Sequence, residues 1–145
     1  MTSTALLVMD VQQGIVDRFG GDNEYLPRLA TAVQAGRGAG VRVIYVVVGF
    51  RAGHPEVSQR NKSFAAVAGT GRFAEGDPGT AIHPDVAPAA GDIVVTKRRV
   101  SAFTGSDLEV VLRAADVEHR VLTEKVFPRQ ADVLSIAGWV SSRSF

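Results

Sequence analysis

The chain has 145 residues, 46% of them hydrophobic, so we expect one globular domain with a core of useful size. Its 16 Lys and Arg residues nearly balance its 15 Asp and Glu residues, and this near-neutral charge argues against nucleic acid or an anionic membrane as a partner. The absence of cysteine excludes disulfides, thiolate metal ligands and thiol nucleophiles.

The first predicted element is a strand at residues 5–9 (ALLVM), whose continuous apolar run is typical of a parallel strand covered on both faces. Residues 41–48 (VRVIYVVV) predict a second strand of the same kind. Between them, apolar residues recur at helical spacing, at Leu26, Leu29, Ala30 and Val33. The glycines at positions 36, 38 and 40 are expected to end this helix, and the two strands should be parallel with a right-handed connection.

A third strand is predicted at residues 92–96 (DIVVT), followed by a helix that Thr104 can cap with Asp107 three residues later. The buried stripe of that helix is predicted at Leu108, Val111, Leu112 and Ala115. Residues 131–136 predict a last short strand, and residues 137–140 a helical turn. This alternation indicates an α/β fold, a three-layer sandwich with a mainly parallel, Rossmann-like sheet, in a single domain over residues 1–145.

Two segments do not fit the alternation. Residues 49–91 hold most of the Gly and Pro residues, and a connection of this length is either a lid over a site or a solvated surface loop with a short helix near residues 64–67. Residues 116–129 fit either a short strand or a helix that Pro128 stops, and we favour the helix.

Two charged residues mark the ends of predicted strands. Asp10 follows the first strand, and Lys97 follows the third and opens a Lys-Arg-Arg run whose two arginines are expected to be solvated. Ligands of open parallel sheets bind beyond the carboxyl ends of the strands, so Asp10 and Lys97 can approach each other there if the first and third strands are neighbours. They then form either a base with its partner ammonium or a structural ion pair, or Asp10 simply caps a loop.

The phrases LLVMDVQ at residues 6–12 and KRRVSAFTGSDLEVVLR at residues 97–113 resemble the isochorismatase-like cysteine hydrolases, which include the nicotinamidases. The resemblance runs from about residue 4 to residue 119 and resumes at residues 126–140. It implies that Asp10 is the general base and that Lys97 orients it and stabilises charge. It also makes Gln12, Phe19 and Phe103 candidate substrate-binding residues, although each fits ordinary packing or loop structure equally well.

The same resemblance implies a nucleophilic cysteine, and this chain has none. The resemblance also implies that the strand–helix–strand block that carries it in the family is missing near residues 119–120, so we expect the domain to be interrupted there. Three explanations compete: the block is omitted from the sequence, deleted in the gene or removed deliberately. Loss of interior strands would expose the apolar faces of their neighbours, at about 25 cal/mol per Å², so an omitted segment or a rearranged, swapped assembly is favoured. Hydroxyl groups at Ser101, Thr104, Ser106 and Thr123 are poor substitutes, because an alcohol ionises far less readily than a thiol.

The remaining signals predict no metal site and no cofactor. The histidines at 54, 83 and 119 are scattered, and the glycines of GRGAG end a helix instead of beginning one after a strand. No apolar run approaches the roughly 20 residues of a membrane span, and the start of the chain is not a basic signal peptide, so we expect a cytoplasmic protein.

The resemblance therefore implies a hydrolase that acts on a small amide or a related C–N or vinyl-ether substrate, and we expect a homo-oligomeric assembly. The alternative is a catalytically inactive homologue that serves as a small-molecule binding module or a homodimeric assembly module. The sequence does not name the substrate, since the walls of the pocket are expected to come largely from residues 49–91 and from the missing block.

Overall fold

The central feature of the described part of the chain is a parallel sheet of three strands. The computed structural model describes residues 4–18, 24–62 and 64–117. Within them the strands β1 (Ala5–Met9), β2 (Arg42–Val48) and β3 (Ile93–Lys97) are parallel and lie in the order β1-β2-β3. The predicted third strand at residues 92–96 is thus one residue out of place. The strands β1 and β3 are not neighbours, because β2 lies between them.

Alternate side chains of the central strand point to opposite faces, as the pleat of a strand requires. Val43 and Tyr45 face the helix α2 (Tyr25–Gly38), together with Val8 of β1 and Val33 of the helix. Ile44 and Val46 of β2 face the opposite way. Each fully buried aliphatic side chain of this kind contributes about 1.5–3 kcal/mol to the stability of the fold. Six of the seven residues of β2 are buried.

The second face is covered by the helix α3 (Leu108–Ala114), whose Leu108 and Leu112 pack on Ile44, Val46 and Val95. The predicted stripe is correct, but the predicted start is wrong, since the helix begins four residues after Thr104. Ser106 holds the turn before it: its hydroxyl donates to the carbonyl of Ala102 and accepts from the Leu108 N–H. With one helix on each face of the sheet, the described residues form the expected three-layer α/β sandwich.

The end of α2 lies further along the chain than the sequence predicts. The helix continues through Gly36 and Gly38, and only Gly40, at φ 69°, takes the left-handed conformation that ends it. The Gly40 N–H donates to the carbonyl of Arg37 and the Val41 N–H to that of Gly36, a Schellman motif. Gly36 is buried, so its lack of a side chain serves packing and not termination.

Residues 49–91 are fastened to the carboxyl edge of the sheet and have a small core of their own. Phe50 and Phe73 are buried there with Val48 and Val67, and two 3-10 turns follow at Pro78–Thr80 and Pro84–Val86. Isolated bridges join Phe50 to Ala74 and Gln12 to Ile82. The segment is therefore packed beside the strand ends and is not a wholly solvated loop, and residues 64–67 form turns instead of the short helix. A lid over the site stays a prediction.

A shorter helix, α1 (Gln13–Val16), follows β1 after a connection of three residues. Several predictions lie outside the described residues: Phe19, the helix at 116–129 beyond residue 117, the junction near 119–120, the strand at 131–136 and the turn at 137–140. Among the described helices, none is both long and apolar enough to cross a bilayer.

Candidate active site

Asp10 is placed by an unusual backbone conformation at the end of β1. Its φ is 59°, in the left-handed region, which aspartate tolerates better than most residues do. Its N–H still donates to the carbonyl of Val46 at 3.0 Å, so the chain remains attached to β2 as it turns. The side chain is 38% exposed. A left-handed residue at a strand end costs about 1–3 kcal/mol, and such positions concentrate at functional sites.

Lys97 is the last residue of β3, and its side chain is only 5% exposed. The ammonium Nζ donates to Oδ2 of Asp10 at 2.8 Å and to the carbonyl of Val100 at 3.1 Å. A buried ammonium is costly unless it is paired, and these two acceptors compensate its desolvation. The arrangement leaves a partly exposed carboxylate held against a fixed positive charge.

The two side chains meet although their strands are not adjacent. The sequence predicts the contact on the condition that the first and third strands are neighbours. That condition is not met, because β2 lies between them. The long side chain of Lys97 reaches past the end of β2, and the left-handed turn at Asp10 brings the carboxylate towards it. A shared carboxyl edge is therefore sufficient for the contact, because all three parallel strands end there.

Two of the three candidate substrate-binding residues are described, and their positions differ. Gln12 is completely buried, and its side-chain amide bonds to backbone groups of Val48 and Thr80. Phe103 is partly buried against the core beneath α3. Phe19 lies outside the described residues. The contacts of Gln12 fit the structural alternative stated for it from the sequence.

A second charged group at the same edge was not anticipated. Arg98, predicted to be solvated, is three-quarters buried: its Nη1 donates to the carbonyl of Gly49, and its Nε lies 3.6 Å from Oε1 of Glu56. Arg51 donates to the same carboxylate at 2.6 Å. Burial acts to raise the pKa of Glu56, but hydrogen bonds from its own N–H and from Arg51 outweigh this, so the pKa lies below its usual value.

His54 is also buried, in the segment after β2. One ring nitrogen, Nε2, lies 2.7 Å from the carbonyl of Arg72, and the ring lies against Phe50 with a centroid distance of 5.4 Å. No described residue provides a hydrogen-bond partner for Nδ1. The sequence predicts loop structure at this position, and the His54 contact with Arg72 does join two parts of that loop.

A cavity of about 370 Å³ lies away from this pair. It is lined by residues at the amino ends of the strands and after α3: Thr4, Gly40, Arg42, Gly91, Ala115 and Val117. Because the reactive side chains of a parallel sheet lie at its carboxyl edge, we do not assign the site to this cavity. Within residues 4–18, 24–62 and 64–117, no three His, Asp or Glu side chains are grouped closely enough to hold a metal ion.

Comparisons with known proteins show the family of this chain. The model of the isochorismatase domain matches residues 4–123. A ureidoacrylate amidohydrolase of Stutzerimonas stutzeri is 32% identical over 84% of this chain and 58% of its own length. The corresponding protein of Methylobacterium radiotolerans is 34% identical over 83% of this chain and 55% of its own length.

Solved structures show the same likeness. A cysteine hydrolase from Pseudomonas syringae superimposes with a TM-score of 0.69 and 28% identity over 79% of this chain and 55% of the other. An N-carbamoylsarcosine amidase from Thermoplasma acidophilum, at 23% identity and a TM-score of 0.58, shares the fold. The chain matches little more than half the length of the two amidohydrolases. By its sequence match, and consistently with its fold, the chain belongs to the isochorismatase family.

Proposed function

We propose that Asp10 and Lys97 form the acid–base centre of a hydrolase that cleaves a small amide or a related C–N bond. The substrate range expected from the sequence also includes vinyl ethers, and the proposal is restricted to its C–N part. The observation that carries the proposal is the 2.8 Å contact between a partly exposed carboxylate and a buried ammonium at the carboxyl edge of the sheet. Two relatives named ureidoacrylate amidohydrolases support the choice of an amide.

The chain contains no cysteine, so we assign the attack to water. The Asp10 carboxylate accepts a proton from a water molecule while the water oxygen bonds to the carbonyl carbon. The C–N bond then breaks, and the same proton passes to the leaving nitrogen, so the products are a carboxylic acid and an amine. General-base assistance of this kind contributes about 10²–10⁴-fold to a rate.

Lys97 has two tasks in this scheme. Its hydrogen bond to Oδ2 fixes the orientation of the Asp10 carboxylate, and its positive charge offsets the negative charge that develops on the substrate oxygen. Both tasks require an ammonium that does not move, and the second hydrogen bond, to the carbonyl of Val100, restrains it.

The test is an assay of amine or ammonia release from small amides, with ureidoacrylate and an N-carbamoyl amino acid among them. Asp10→Asn keeps the size of the side chain and tolerates the left-handed backbone, and Lys97→Met keeps the apolar stem. We expect turnover by the unsubstituted chain and a fall of about 100-fold or more in each variant. Turnover that survives both substitutions in folded protein contradicts the proposal.

The second candidate function is that of a binding or homodimeric assembly module without turnover. It is favoured by one observation: a relative of solved structure is named a cysteine hydrolase, whereas this chain has no cysteine. Calorimetric titration with the same amides, together with sedimentation to measure the oligomeric state, separates the two. Binding that depends on Asp10, with the ligand recovered unchanged, supports the module.

A further inference from the structure

The side-chain amide of Gln12 makes contacts of an unusual kind. Gln12 follows β1 by three residues, and its Nε2 donates to the carbonyls of Val48 and Thr80, each at 2.8 Å. Its Oε1 accepts the N–H of Val48, also at 2.8 Å. Both amide hydrogens are therefore used, and the amide pairs with both backbone groups of Val48, as a neighbouring strand would.

Val48 connects this amide to the candidate active site. It is the last residue of β2 and the register partner of Lys97, and the N–H of the next residue, Gly49, donates to the carbonyl of Lys97 at 3.2 Å. Lys97 in turn bonds to Asp10, two residues before Gln12. The contacts form a closed ring through Asp10, Gln12, Val48 and Lys97.

We propose that Gln12 is a positioning residue, whose amide fixes the end of β2 and thereby sets the geometry of the Asp10–Lys97 pair. Backbone pairing between β1 and β2 stops where Asp10 turns into the left-handed conformation. The amide of Gln12 supplies one further pair of hydrogen bonds beyond this point, so Val48 and Lys97 cannot move away from Asp10. The inference rests on the proposed function only for the catalytic role of the Asp10–Lys97 pair; the geometry of the pair is argued from the hydrogen bonds alone.

The chemistry of the amide explains why glutamine is required. Glutamate has the same shape but loses both donors, so it leaves the carbonyls of Val48 and Thr80 unpaired and places a negative charge beside them. Methionine has a similar size and loses every hydrogen bond. A buried backbone group without a partner favours local opening, and here that opening exposes Lys97.

The experiment measures how fast the Lys97 amine is acetylated in the folded full chain by an N-hydroxysuccinimide ester, with peptide mass spectrometry as the readout. Lys62 is exposed and provides the internal reference. We expect the ratio of the Lys97 rate to the Lys62 rate to rise about tenfold in Gln12→Glu and Gln12→Met. An unchanged ratio in both folded variants overturns the proposal.

The matched control is Asp92→Asn, which breaks a buried clamp at the amino end of β3. Asp92 accepts hydrogen bonds from Arg37, at 3.1 Å from Nε, and from the N–H of Ala89, at 2.8 Å. Urea is used to bring all variants to the same global stability. We expect Asp92→Asn to have the same ratio of Lys97 to Lys62 acetylation rates as the unsubstituted chain. If this ratio rises in Asp92→Asn as much as in the Gln12 variants, Gln12 acts only through global stability.

A measurement on the unsubstituted chain covers the case in which neither Gln12 variant folds. If one local opening breaks the ring, hydrogen exchange at the Val48 N–H and acetylation of Lys97 should depend on urea concentration with the same slope. Different slopes overturn the proposal. Neither readout uses turnover, so failure of the hydrolase assay and failure of this inference are distinct results.

Discussion

Lys97 at the end of β3 bonds to Asp10 at the end of β1 across the end of the strand that separates them. The two members of the pair differ in burial, since the lysine side chain is 5% exposed and the aspartate 38%. Water can solvate the carboxylate when it is alone, but it has little access to the ammonium. This asymmetry gives the two halves of the pair different effects on stability.

Removing the carboxylate should therefore cost more stability than removing the ammonium. Asp10→Gly takes away the acceptor without straining the left-handed backbone, and we expect a loss of about 1–3 kcal/mol in the free energy of unfolding. Lys97→Met keeps the apolar stem and should cost less. Urea unfolding at neutral pH measures both, and a larger loss in Lys97→Met would contradict the burial argument.

Acid should weaken the fold partly through Asp92. Burial acts to raise the pKa of this carboxyl, but hydrogen bonds from Arg37 and the Ala89 N–H lower it below its usual value. A folded-state pKa below the unfolded-state value of about 3.9 means that the contribution is complete above that value and is lost as the pH falls through the folded-state pKa.

The corresponding measurement is urea unfolding at a series of pH values. We expect the unsubstituted chain to lose stability more steeply than Asp92→Asn in the acid range below the usual carboxyl pKa, because the variant lacks the titrating group. Parallel curves for the two proteins would show that the Arg37–Asp92 pair does not contribute in this way.

A close backbone approach should make Gly14 sensitive to substitution. A Cβ atom at this position would lie 3.1 Å from the carbonyl oxygen of Gly79 and 3.3 Å from Cε1 of Phe73. Since backbone atoms cannot move away easily, Gly14→Ala should cost about 1–3 kcal/mol. The control is Gly38→Ala at the end of α2, where a Cβ atom would meet nothing within 4 Å. We expect a small gain in stability there, and thermal unfolding compares the two variants.

The two faces of α3 should respond differently to truncation. Leu108 is fully buried against the sheet, so Leu108→Ala should cost about 2–5 kcal/mol. Val110 on the same helix is 69% exposed, and Val110→Ala should be neutral or slightly stabilising because alanine favours the helix. Chemical denaturation measures the free energy of unfolding of both variants. Equal losses in Leu108→Ala and Val110→Ala would show that α3 is packed in another orientation.

The strands and the apolar stripes could be predicted because each depends on a local repeat. The runs at residues 5–9 and 41–48 and the spacing of Leu108 and Leu112 are properties of neighbouring residues, and the structure places a strand or a helix at each. The errors occurred where packing overrides local preference. Gly36 is the example: it signals a helix end by composition, but it is buried inside α2.

The candidate site divides in the same way. An acid and a lysine at the ends of two apolar runs are visible in the sequence, and parallel strands bring their carboxyl ends to one edge whatever their order. The position of β2 between them, the burial of Arg98 and the three hydrogen bonds of Gln12 depend on strand order and register. Those are set by contacts between residues 36 to 87 positions apart, which no local pattern encodes.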